Sequence, residues 1–159
     1  MEIIDVNYGN LRRHLADLVE SEKIFPEGQR MGANDIAFLV TGNGSISKAC
    51  YVNGEYAGNI IGACPRKLGV KFADAVRDTK VLYVVTTSVQ PKFRRQGIGK
   101  ALMDALIESA RESGYKVLEG HANENTAMPL IRKYNHVELK RYAEWEATGE
   151  PAIHYLQPI

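Results

Sequence analysis

Residues 89–102 read Val89-Gln90-Pro91-Lys92-Phe93-Arg94-Arg95-Gln96-Gly97-Ile98-Gly99-Lys100-Ala101-Leu102. The run before them, Val81 to Val89 (VLYVVTTSV), is β-branched along most of its length and stops at Pro91. Its near-continuous apolar start predicts a strand buried on both faces. Beyond the glycines, Met103, Leu106, Ile107 and Ala110 recur on one helical face and predict a helix from about 98 to 112. Gly114 stands where a left-handed cap would end that helix. A buried strand, a turn with glycines at alternate positions and an amphipathic helix thus follow one another.

Such a turn suits a diphosphate. Glycine lets successive backbone N–H groups face one point with no side chain in the way. The helix amino terminus adds unpaired donors and a partial positive charge. Arg94, Arg95 and Lys100 add full charges nearby. On glycine spacing alone, a tight turn with solvated arginines explains the segment equally well. Two other phosphate loops are excluded. Walker A needs glycine where Arg94 stands, and the dinucleotide fingerprint needs its third glycine where Leu102 stands.

Outward from this turn, residues 2–7 alternate weakly and predict a first strand, followed by a helix over 10–22 built on Leu11, Leu15, Leu18 and Val19. Pro26, Gly28 and Gly32 predict a loop with at most a helical turn. Ile36 to Thr41 is a compact apolar run read as a strand, closed by Gly42-Asn43-Gly44. Asn53-Gly54 predicts a hairpin between 48–52 and 55–63, because both turn residues must tolerate positive φ. Phe72 to Asp78 reads as a short helix. Downstream follow a strand at 116–122, a helix from Thr126 to about Tyr134, and strands at 137–143 and 152–157. Pro129 is acceptable only near the start of its helix. The order predicts a mixed α/β layer, helices covering a sheet whose hairpin portion is antiparallel.

The chain has 159 residues, enough for one domain spanning 1–159 that buries a core without staples. Twenty basic against nineteen acidic side chains leave a formal charge of +1, so no global attraction for nucleic acid is expected. Cys50 and Cys64 match no zinc or redox spacing and read as ordinary thiols of a reducing cytoplasm. No metal site is expected. Neither a signal peptide nor a membrane span is evident, which predicts a cytoplasmic protein.

Val89 through Gly99 resemble the central motif of the GNAT superfamily of N-acetyltransferases, V-x-P-x-(F/Y)-(R/Q)-(R/G)-x-G-(I/V/L)-(G/A), at every position. The flanking order of elements fits from about residue 46 onward, and the first 45 residues fit loosely. The resemblance implies an α/β (α+β) fold: a mixed, mostly antiparallel central sheet flanked by helices, with a splayed strand pair holding CoA. It further implies that acetyl-CoA is bound through the backbone amides of Gln96, Gly97, Ile98, Gly99 and Lys100 at the pyrophosphate, with Arg94 and Arg95 nearby. Thr87, Ser88 and Val89 would pair by main chain with the pantetheine arm, and the Val89 amide would serve as an oxyanion donor. Asn125 to Glu138 (NTAMPLIRKYNHVE) resembles the family's second cofactor segment, which makes Asn125 a partner of the pantetheine amides, a helix cap, or both.

This chain also departs from the family. Arg132 occupies the place of the frequent catalytic tyrosine, and His136-Val137 that of a Gly-Phe pair. Tyr134 lies two residues on, about 200° around a helix, and reads as core more readily than as an acid. Thr86, Thr87 and Ser88 stand where some members carry a carboxylate base. His121 and Glu119 share one face of their strand and are candidate proton acceptors, with ordinary strand residues as the plainer reading. Direct attack by an amine, small molecule or protein, is expected. Glu22, Glu27 and Asp35 opposite Glu144, Glu146 and Glu150 fit a cationic acceptor, with Trp145 and Tyr142 to pack on it, or are solvated loop charges. A homodimer is left open. The alternative function is a non-catalytic CoA-binding or sensing module.

Overall fold

A computed structural model describes residues 1–65 and 80–159; the short helix expected over Phe72 to Asp78 lies outside them. Seven strands form one sheet: β1 (Glu2–Asp5), β2 (Ile46–Val52), β3 (Glu55–Ala63), β4 (Val81–Val89), β5 (Val117–Asn123), β6 (Val137–Trp145) and β7 (Glu150–Pro158). Their spatial order is β1-β2-β3-β4-β5-β7-β6. Every neighbouring pair is antiparallel except β4–β5. The expected mixed, mostly antiparallel sheet is therefore the one observed.

Helices cover both faces. On one, α1 (Leu11–Ser21) and α2 (Ala33–Thr41) bury Leu11, Leu18, Ile36 and Val40 against Ala49 and Ile61. On the other, α3 (Ile98–Glu112) and α4 (Met128–Ile131) bury Leu102, Leu106, Met128 and Ile131 against Ile60, Leu82, Leu118 and Ile153. The stripe that predicted α3 is the stripe that is buried, Met103, Leu106, Ile107 and Ala110 included.

Ile36 to Thr41 is a correction: this run is helical, part of α2. Ile36 and Val40, four residues apart, are buried, while Phe38 between them is 59% exposed. A short apolar run fits either period, and the arbiter lay upstream. The Asp35 carboxylate accepts the Gly32 N–H at 3.0 Å, an amino-terminal brace three residues apart. The helix expected from Thr126 to Tyr134 is also shorter, Met128–Ile131.

Strand β4 carries a bulge and separates early from β5. Ile61 pairs with Thr86 but Gly62 with Val84, so Val85 is an extra residue, a bulge that turns Val85 and Thr86 onto the same face. Against β5, only Val81, Leu82 and Tyr83 pair, with Val117, Leu118 and Glu119. Beyond that third rung the two strands part. Close to this split β3 comes very near β4, since a Cβ on Gly58 would stand 2.3 Å from the Ser88 carbonyl oxygen.

Candidate active site

The turn after β4 is built from unsatisfied donors. Gly97 is the residue before α3 and holds φ at 82°, a left-handed value that only glycine adopts without cost. Arg95 also has positive φ, 64°. A non-glycine residue there stores roughly 1–2 kcal/mol of strain, and such strain collects at functional sites. The first backbone bond of α3 runs from Ala101 N to Gly97 O at 3.0 Å. Among the described residues, the amides from Arg95 to Lys100 have no protein acceptor. Apart from Gly97 itself and its two chain neighbours, no described atom lies within 4 Å of where a Gly97 Cβ would stand. Arg94, Arg95, Gln96 and Lys100 are exposed, with Lys100 paired to Asp104 at 2.5 Å. Arg94 Nε donates to Val89 O at 3.2 Å, tying the turn to the strand end.

The split leads from this turn into the sheet. Gln90 N donates to Ala57 O on β3. By antiparallel alternation the Val89 and Thr87 amides then point away from β3, toward the side where β5 has parted. Ser88 is buried, and its hydroxyl turns inward to Asn59 Oδ1, which also accepts from Tyr56 Oη at 2.8 Å and Ser21 Oγ at 3.1 Å. Burial pushes the Tyr56 phenol up to about 12, against the help it gets from Ser21 and Ser88.

At the base of the split, on the α1/α2 face, polar and aromatic side chains gather. Tyr83 Oη and His121 Nδ1 are 2.8 Å apart. The His121 ring lies between Trp145, parallel at 4.3 Å, and His154, at 4.2 Å. His154 Nε2 in turn meets Glu119 Oε1 at 2.6 Å. Glu119 is fully buried, so this carboxylate bears on His154 rather than on anything entering from solvent. Tyr83 and His154 carried no local signal in the sequence. Each is found only through pairing, Tyr83 opposite Glu119 and His154 opposite His121.

Tyr134 is drawn to the first turns of α3. Its hydroxyl donates to Asp104 Oδ1 at 2.7 Å and lies 3.4 Å from Lys100 O. Burial, then the Asp104 carboxylate, hold its phenol well above the ordinary tyrosine value. Arg132 Nη2 reaches Glu138 Oε1 at 3.3 Å. Asn125 is exposed, and the side chain that closes the turn ahead of α4 is Asn123, whose Oδ1 accepts from Asn125 N and Thr126 N.

The two loops expected to border the acceptor meet, because Gln29 Nε2 donates to Thr148 O. Trp145 is buried against His121, Asp35 braces α2, and Glu22 is buried with Oε2 accepting from Met31 N at 3.1 Å. Glu27, Glu144, Glu146 and Glu150 are exposed.

A mixed sheet split between its one parallel pair opens onto the amino-terminal turn of α3, whose main-chain donors suit a diphosphate. Residues 14–136 match the acetyltransferase (GNAT) family. The chain belongs to that family. No curated protein resembles the sequence closely enough to count as a match. Among solved structures, the ribosomal-protein-S18-alanine N-acetyltransferase of Escherichia coli superposes with a TM-score of 0.71 at 19% identity, covering 99% of this chain and 93% of that one. Ard1 from Thermoplasma volcanium gives 0.75 at 16%, covering 99% and 97%. A GNAT-like decarboxylase, GphF, bound to isobutyryl-CoA gives 0.74 at 12%, covering 99% of each. At these identities the likeness is one of fold. No helix among the described residues is long and apolar enough to cross a membrane.

Proposed function

We propose that this protein, acting as a single unit over residues 1–159, transfers an acyl group from acyl-CoA, acetyl-CoA first of all, to a primary amine by direct attack. One observation carries the proposal: the amides from Arg95 to Lys100, without an acceptor among the described residues, stand at the open end of the β4–β5 split. In this proposal Gln96 to Lys100 hold the pyrophosphate by main chain, with Arg94, Arg95 and Lys100 adding charge. Thr87, Ser88 and Val89 hold the pantetheine arm along β4, and Asn125 approaches it from the far side. The Val89 amide donates to the carbonyl oxygen where negative charge grows.

The thioester supplies an acyl carbon already activated toward amines. The chain must then supply a neutral amine. For a lysine-like acceptor, deprotonation at pH 7 costs about 4–5 kcal/mol. His121 is the proposed proton acceptor, its ring clamped between Trp145 and His154 and its Nδ1 placed by Tyr83. Glu119 holds His154, which stacks on one side of that ring. The first proton leaves the ammonium through His121 to solvent; as one C–N bond then replaces one C–S bond, the second nitrogen proton passes through His121 to the departing sulfur. Tyr134 braces the start of α3 and does not supply that proton. The free thiols Cys50 and Cys64 fit a reducing cytoplasm.

The test is calorimetry with acetyl-CoA, followed by release of free thiol with tyramine, spermidine and a pentapeptide bearing a free amino terminus. Binding with turnover on any of them supports the proposal. Binding without turnover on all three favours a CoA-binding module, for which Arg132 at the place of the family's tyrosine speaks. No heat and no thermal protection from acetyl-CoA refute both.

A further inference from the structure

From Val84 to Val89, strand β4 is held from one side. It shares rungs with β5 only at Val81, Leu82 and Tyr83, while β3 follows it as far as Val89. The Thr87 and Val89 amides, assigned above to the coenzyme arm, belong to this outer part. Donors of this kind make a selective site only where the backbone that carries them is fixed. Among the described strands, that restraint has to come from β3.

At one rung β3 does more than pair. Asn59 stands opposite Ser88, and its Oδ1 accepts from the Ser88 hydroxyl. Both residues are 1% exposed. The same oxygen meets Tyr56 Oη at 2.8 Å and the hydroxyl of Ser21, the last residue of α1, at 3.1 Å. One amide oxygen thus gathers hydroxyls from β3, β4 and α1. On the neighbouring rung Gly58 faces Val89, and the lack of a side chain there lets the Ser88 carbonyl come close. A leucine of similar size would fill the place of Asn59 by packing alone. A hydrogen-bonded amide also fixes direction, which packing does not.

We propose that Asn59 is a positioning residue for the coenzyme: it anchors Ser88 across the sheet and so sets where the Thr87 and Val89 amides stand along the split. This role rests on the placement of the coenzyme arm proposed above. Asn59 acts through the strand, without touching coenzyme or acceptor.

The test is calorimetry with two ligands. Acetyl-CoA carries the arm, and 3′-phospho-ADP carries the same diphosphate without it. Asn59→Leu keeps the volume and removes the accepting oxygen. Ser88→Ala removes the donor and leaves the β4 main chain in place. Each should weaken acetyl-CoA about tenfold, the scale of one hydrogen bond, and leave 3′-phospho-ADP binding as it is. The double variant should lose no more than the larger single loss, since both substitutions break the same link. A structural role alone would lower the melting temperature of both variants without separating the two ligands. Equal weakening of both ligands, unchanged acetyl-CoA affinity, or additive losses in the double variant would overturn the proposal. If Asn59→Leu does not fold, the two ligands are compared on Ser88→Ala, and the same split decides. An unaltered protein that binds 3′-phospho-ADP as tightly as acetyl-CoA would instead refute the placement of the arm along β4. One that binds neither would refute the phosphate turn, and this role with it.

Discussion

Gly97 and His121 carry separate halves of the proposed chemistry, and single substitutions should separate them. Gly97→Glu places a carboxylate where the amides converge and forces a side chain into left-handed backbone. Acetyl-CoA affinity should fall by at least ~100-fold in calorimetry, from lost donors and added repulsion. A folded Gly97→Glu protein that binds normally would refute the phosphate turn. His121→Gln keeps a polar side chain between Trp145 and His154 but removes the base. Turnover should drop by about 10²-fold or more while acetyl-CoA binding holds. If kcat survives, the proton leaves by another route.

Among the elements, α3 depends at its start on a small charged brace. Partial burial alone would raise the Asp104 carboxyl, but hydrogen bonds from Lys100 and Tyr134, with the Lys100 charge, hold it below its ordinary value. A carboxyl lowered in the folded state stabilises above its unfolded pKa, near 3.9, and that contribution is lost as pH falls through the folded value. Thermal melts taken from pH 6 down to pH 3 should show an extra loss in the unaltered protein that Asp104→Asn lacks. Equal acid sensitivity of the two would show that the brace does not contribute.

Legibility from sequence also varied by element. The run Val81 to Val89 and the helix from Ile98 to Glu112 were read with the bounds observed, because β-branching, a proline stop and a four-residue stripe all agreed. Ile36 to Thr41 misleads because five consecutive apolar residues and a threonine carry no period, and the cap that decides between helix and strand, Asp35 on Gly32, lies outside the run. His121 and Glu119 are legible because they end a strand beside the cleft that the family resemblance implies, and alternation puts both on one face. Their partners were not legible, since Tyr83 and His154 reach them only through the pairing of β4, β5 and β7. The bulge at Val85 was likewise silent, as nothing in VLYVVTTSV marks which residue lacks a partner.

For the whole molecule, three rungs of parallel pairing join a four-strand half, β1 to β4, to a three-strand half, β5, β7 and β6. Leu82 and Leu118 face each other across those rungs, both fully buried, and share one core with Ile60 and Ile153. Leu118→Ala should cost about 2–5 kcal/mol, read as a lower denaturant midpoint. The same truncation should weaken acetyl-CoA binding, because a looser join misaligns the amides of β4. Normal affinity in a destabilised Leu118→Ala protein would show that the join and the coenzyme site are independent.

So short a seam concentrates mechanical compliance in one line across the protein. Backbone hydrogens flanking that line should exchange with solvent through small local openings, well before the molecule as a whole unravels. A coenzyme lying along it would act as a suture, and the slowing of exchange on both banks would measure how tightly the two halves are drawn together.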